Sequence, residues 1–275
     1  MGFNFDTMKI YILSISLLTT LLLGSCGDKS SFLTQIAPAD GAKVKFVHAA
    51  PDAPGVAIFV NDRKVSGILT VAPTTPGTIA YGGVFPSTDY AILSAGTAKV
   101  KITTPSVSDA TLLTGDVNLE SGKYYTVIAT GLAPSYAPFV VQDNIPALSG
   151  NKVFFRVINL IANSTDVEVS IAGSVAATGI KHKEGGDKFI AYDLPGFTNT
   201  SATVVLSVKT NGTSTATTAG TVTSIGTITY AGVTPGRVYT IITRGILATQ
   251  APDALGKIVV TASKFPASSS IYTNR

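Results

Sequence analysis

Tryptophan is absent from this chain, and cysteine occurs once, at Cys26. A single thiol excludes an intrachain disulfide framework and every zinc site built on cysteine pairs. Charge is scarce too: Asp, Glu, Lys and Arg make up only 13% of the residues, and the net charge of +4 is spread over isolated lysines and arginines. No basic block or aromatic-plus-basic patch offers itself to a nucleic-acid backbone. Gly-x-Ser-x-Gly, a Walker loop, a dinucleotide fingerprint and His-Glu-x-x-His are all missing, which leaves no motif for a nucleophile, a phosphate or a cofactor. The expectation is no enzyme activity, no cofactor, no metal and no nucleic-acid partner. Apolar stripes at helical spacing do not extend beyond a couple of turns.

The N-terminus carries an address. Met8, a candidate alternative start, and Lys9 precede "IYILSISLLTTLLL", which has the length of a signal-peptide core and falls short of the roughly 20 residues of a spanning helix. The run closes on Leu23, Gly24, Ser25 and Cys26. This resembles the bacterial lipobox, in which the cysteine takes a diacylglycerol before cleavage. The resemblance implies a signal peptide over residues 1–25, with Cys26 as the lipidated first residue of a tether over 26–42. Burying acyl chains at about 0.8 kcal/mol per methylene makes a three-chain anchor permanent. The expected location is the outer membrane, facing the periplasm or the cell surface. A lone acid, Asp28, stands where Bacteroidota surface-export signals resemble an acidic cluster.

Beyond the tether, Thr, Val, Ala and Gly dominate, which favours strands joined by turns. "VAIFV", "AKVKIT", "VEVSI" and "TVVLSVK" each alternate, with Val56, Ile58 and Val60, Val100 and Ile102, Val167, Val169 and Ile171, and Val204, Leu206 and Val208 on one face.

Two stretches repeat. "KFVHAAPDAPGVAIFVN" from Lys45 lies over "RVINLIANSTDVEVSIA" from Arg156, at an offset of 111 residues. "LESGKYYTVIATG" from Leu119 lies over "VTPGRVYTIITRG" from Val233, at an offset of 114, matching Gly122, Tyr125, Thr126 and Gly131 to Gly236, Tyr239, Thr240 and Gly245. A fixed long period means two copies of one unit. The chain is expected to be all-β, two tandem Greek-key-like β-sandwiches of about seven strands each, immunoglobulin-like or transthyretin-like. Their expected spans are 43–147 and 152–265, with a joint near 145–152 and a C-terminal tail over 266–275. Gly-x-x-Tyr-Thr resembles a tyrosine corner, in which a ring is buried and its hydroxyl caps nearby backbone.

"VKFVHAAPDAPGVAIFVND", residues 44–62, together with "LSAGTAKVKI" and the first Gly-x-x-Tyr-Thr, resembles bacterial exported proteins classed as domain of unknown function 4397. That resemblance implies tandem sandwich modules, often in envelope lipoproteins of Bacteroidota-like bacteria, and supplies no catalytic residue. The second copy departs from it, with Asn159 for His48 and Asn163 for Asp52.

Few residues invite chemistry. His48 and Asp52 flank a proline-rich turn and could suggest a base or a metal ligand, the basis of an alternative hydrolase reading. Turn chemistry for Asp52 and backbone contacts for His48 explain them better. His182, in the charged segment "KHKEGGDK", marks a solvated loop or a ligand loop, without the oxygen set calcium needs. Tyr124 in "KYYTV" and Tyr136 in "SYAPF" are the candidate aromatic platforms, with core packing as the plainer role. The functional expectation is a non-catalytic, membrane-anchored envelope lipoprotein that binds a glycan or surface protein, with a periplasmic accessory subunit as the alternative.

Overall fold

The computed structural model describes residues 40–66, 77–104, 110–147, 150–194, 202–210 and 224–275. The expected signal peptide over 1–25, Cys26, residues 27–39 of the expected tether and the polar tract 211–220 lie outside the described residues. Among the described residues every regular element is a strand.

The first half contains β1 (Ala42–His48), β2 (Ala57–Val60), β3 (Arg63–Lys64), β4 (Val84–Phe85), β5 (Ala91–Leu93), β6 (Gly96–Thr103), β7 (Thr111–Leu119), β8 (Tyr124–Leu132) and β9 (Ser135–Gln142). They form one sheet in the order β4-β1-β8-β9, with β5 also on β1, and a second in the order β3-β2-β6-β7. The second half contains β10 (Lys152–Ile161), β11 (Val167–Ile171), β12 (Ser174–Ile180), β13 (Ile190–Asp193), β14 (Ala202–Thr210), β15 (Ser224–Val233), β16 (Val238–Gly245), the hairpin β17 (Thr249–Pro252) and β18 (Ile258–Thr261), and β19 (Ser268–Thr273). Its sheets run β13-β10-β16-β19 and β12-β11-β14-β15. The strand count exceeds seven per half because short strands such as β3, β4 and β5 are too brief to show alternation.

One boundary needs correction. Residues 268–273, expected in the tail, are β19, which pairs antiparallel with β16 from Tyr239↔Thr273 to Arg244↔Ser268. Serines fill the first half of that strand and hide its periodicity. Its Ile271 packs on the core and Tyr272 is buried.

Three hydrophobic clusters explain the burial pattern. One lies between the two sheets of the first half, around Phe46, Ile58, Ile102 and Val127. Another lies between the sheets of the second half, around Phe155, Val169, Leu206 and Ile241. The third joins the halves through Val47, Ile128 and Val141 on one side and Ile158, Leu160, Ile242 and Tyr272 on the other. The four sheets are therefore stacked, and the inner two are covered on both faces. In β6 burial alternates from Lys99 to Ile102 and Lys99 points outward, whereas β10 is buried at nine consecutive positions, as a doubly covered sheet requires. Each of Ile128, Ile158, Leu160 and Ile242, buried at the junction, contributes roughly 1.5–3 kcal/mol.

Both copies carry the tyrosine corner. Gly122 and Gly236 adopt φ of 75° and 71°, a region glycine enters without strain. The following tyrosines, Tyr125 and Tyr239, are 5% and 2% exposed. Tyr125 accepts a hydrogen bond from Glu120 N at 3.1 Å, and Tyr239 bonds at the matching residue, Thr234. Each corner feeds a strand that pairs in parallel with the first strand of its half, β8 with β1 and β16 with β10.

Candidate binding site between the sandwiches

The junction is built on two strand pairs with matching register, Lys45↔Thr126 and Arg156↔Thr240. Lys45 and Arg156 both project from the face that meets the other half, and both are fully buried. Arg156 Nη2 reaches across to Asp143 Oδ1 at 2.6 Å, with both side chains wholly buried. The guanidinium also donates from Nε to Thr240 Oγ1 at 2.7 Å and from Nη1 to Gly186 O at 2.9 Å. Asp143 Oδ2 accepts from Thr126 Oγ1 and from the Tyr90 hydroxyl, each at 2.7 Å. Asn274 closes the ring, donating to Tyr90 at 2.8 Å and accepting from Thr240 at 2.6 Å. Burial opposes the charge on Arg156, and the Asp143 carboxylate outweighs it, leaving the guanidinium more basic than usual. Burial, followed by the same carboxylate, holds Tyr90 protonated.

A second tie lies elsewhere on the junction. The Arg244 guanidinium stacks 5.0 Å over the Tyr81 ring of the first half and donates to Ser270 at 2.5 Å. Gly82 adopts φ of 81°, and a Cβ there would strike that guanidinium.

Between the halves opens a cleft of about 840 Å³. One wall is β9 and the residues just after it, with Phe139, Val140, Gln142 and Asn144. The other is β12 and the loop that leaves it, with Ala176, Thr178, Lys183, Asp187 and Lys188. Gly186 joins the walls: its carbonyl holds Arg156, and a Cβ on it would collide with Val141. The buried ion pair thus stands directly behind the cleft. β12 is an edge strand, but its pairing with β11 shifts register twice. Bulges of that kind twist an edge away from a straight added strand.

The residues singled out from the sequence scatter. His48 is fully buried, its Nε2 lies 2.9 Å from Pro54 O, and burial lowers its pKa. Asp52 Oδ2 accepts from Ala133 N at 2.8 Å. No hydrogen bond between His48 and Asp52 is present. Asp52 does meet Tyr136, whose pKa is raised by desolvation and then by that carboxylate. Asn163, the counterpart of Asp52, accepts from Leu247 N at 2.8 Å and donates to Leu247 O at 3.1 Å. Both residues therefore pin the turn that comes after a strand of the inner sheet. His182 turns toward Ile161, burial lowers its pKa, and it is not among the residues that line the cleft although its neighbour Lys183 is. Tyr124 accepts from Lys43 Nζ at 2.8 Å and meets Tyr90 edge-to-face at 5.0 Å. Among the described residues no three His, Cys, Asp or Glu side chains cluster to hold a metal.

Asp143, Arg156 and Tyr90 were not singled out from the sequence. Arg156 and Asn159 interrupt an otherwise apolar run, "VFFRVINLI", and polar residues inside a doubly buried strand are the signal that could have found the network.

Residues 42–170 match the family model described as domain of unknown function DUF4397. This segment belongs to the DUF4397 family. The match bears out the resemblance read from residues 44–62, and it extends past the first sandwich through β10 to Ser170 in β11. The DUF4397 segment therefore includes both Asp143 and Arg156. No curated protein matches the chain. A solved structure from Bacteroides fragilis NCTC 9343, described as a candidate cell adhesion protein, is similar at 12% identity over 81% of this chain and 96% of its own, with a TM-score of 0.18. So low a score carries no argument about either fold or function.

Proposed function

We propose that this protein is a non-catalytic, envelope-tethered binding protein, anchored in the outer membrane through acylated Cys26, whose partner seats in the cleft between the two sandwiches. The observation that carries the reading is the buried Arg156–Asp143 pair behind that cleft, each side chain without exposure. Walls from two halves fixed against each other cost little ordering on binding. The cleft offers Phe139 and Val140 beside Gln142, Asn144 and two lysines, a mixture suited to a glycan or a polar protein segment. His48 and Asp52 serve turns, which leaves the hydrolase alternative without a free acid–base couple.

Two measurements test the proposal. Proteinase shaving of intact cells, read with an antibody to residues 152–275 and a periplasmic control, separates an adhesive protein from a periplasmic accessory subunit. Cleavage with the control intact supports surface binding; protection until lysis overturns it. A glycan and surface-protein screen then compares the native chain with a Val140→Asp, Lys188→Glu variant. The expected result is saturable capture, weakened at least about tenfold in the variant with an unchanged unfolding midpoint. Capture indifferent to the variant, or no saturable partner, overturns the cleft reading.

A further inference from the structure

A second recess, of about 410 Å³, opens where Lys43, Asp89, Ile92 and Tyr124 of the first half meet Asn274 and Arg275 of the second. It shares no lining residue with the cleft. Its wall is formed by Tyr124 and Tyr90, set edge-to-face at an interplanar angle of 80°. Tyr90 is committed to Asp143 and Asn274 and gives shape only. Tyr124 differs, because its hydroxyl accepts from the Lys43 ammonium at 2.8 Å and its own proton remains available. An ammonium and a phenolic O–H side by side present two donors to one carboxylate, a charge-assisted arrangement stronger than a neutral pair. Ile92 is 46% exposed and supplies an apolar surface for the C–H face of a ring. Asp89 brings a planar acceptor of the kind that pairs with vicinal hydroxyls, while Asn274, committed to Tyr90 and Thr240, gives shape only.

We infer that this recess binds an acidic sugar residue, with the sugar carboxylate on Lys43 and Tyr124, its C–H face toward Ile92 and its hydroxyls toward Asp89. The site goes beyond the cleft reading and does not depend on it.

The test titrates the full chain, carrying ring-labelled tyrosine, with D-glucuronate, D-glucose and acetate while Tyr124 is followed by NMR. The inference expects a saturable Tyr124 shift with glucuronate, at an affinity at least about fivefold above both comparators. Lys43→Gln, which keeps the Tyr124 reporter, should bring glucuronate down to the glucose level with the unfolding midpoint kept. The Val140→Asp, Lys188→Glu cleft variant should bind glucuronate normally. No saturable shift at Tyr124 overturns the inference; so does equal binding of acetate, which would mark a bare anion site, or of glucose. Loss of glucuronate binding alone leaves the cleft reading standing.

Discussion

The two sandwiches place a cation at the same point of the same parallel strand pair and use it in different ways. Lys45, opposite Thr126, turns back on its own half, with Nζ 2.6 Å from Asp89 O and 3.1 Å from Pro86 O. Arg156, opposite Thr240, reaches out of its half to Asp143. The chemistry depends on the side chain: an ammonium is a point charge that a few carbonyls satisfy, whereas a planar guanidinium has donors to spare for a carboxylate across the junction. Lys45 is accordingly left with a pKa lowered to about 8 by burial, partly opposed by Asp89 and Asp143, while Arg156 stays charged. The fold repeats, but the junction does not. One of the Arg156 donors is spent on Gly186, which lines the cleft.

Breaking the outward-reaching cation should have the largest effect. Arg156→Met strands the buried Asp143 carboxylate and should cost about 3–5 kcal/mol in urea unfolding. Adding Asp143→Leu should recover a large part of it, since replacing a buried pair by apolar groups is often neutral. Two additive losses would mean the pair is not coupled. Next come the glycines shared by both halves. Gly131 and Gly245 adopt φ of 101° and 99°, and a Cβ would strike Ser135 O in one and Pro266 O in the other. Alanine at either should cost at least about 1–3 kcal/mol, and by similar amounts, because here the copies agree.

A pH comparison sharpens the difference between the cations. Between pH about 8 and 10.5 the folded chain has lost the Lys45 proton that the unfolded chain still holds. The unfolded state binds more protons there, so this residue makes stability rise with pH across that window. Lys45→Met should remove that slope relative to the native chain in parallel urea titrations, while no such slope arises from Arg156. The smallest expected effect is at the turn pins. Asp52→Asn gives the first half the side chain its counterpart already has at Asn163, and the bond to Ala133 N survives. Its change should stay within about 0.5 kcal/mol, whereas Asp52→Ala should lose about 1 kcal/mol with the hydrogen bond.

Much of the fold was legible because each local signal had one meaning. Alternation in "AKVKIT" gave β6 its buried face, and the paired Gly-x-x-Tyr-Thr stretches gave two tyrosine corners. β19 escaped because "ASSSIY" carries no period, its place being decided by β16 alone. The parallel pairing of β1 with β8 joins residues about 80 positions apart and leaves no local trace. The site was harder still. His48 and Asp52 drew notice as reactive types, yet both serve turns. Asp143 carries no signal of its own in the sequence, and its role exists only because a residue of the other sandwich is aimed at it.

The most direct test of the composite junction is hydrogen exchange, resolved by peptide, in the native chain and in Arg156→Met. Arg156 belongs to the second sandwich, so its effect on the first is what matters. If the two halves are locked as one cooperative unit, amides of β1 and β8 should lose protection together with those of β10 and β16, by a common factor on the order of 100. If loss stays within residues 150–275 while β1 and β8 keep native protection, the sandwiches are independent neighbours, and a cleft pre-formed by their union is contradicted.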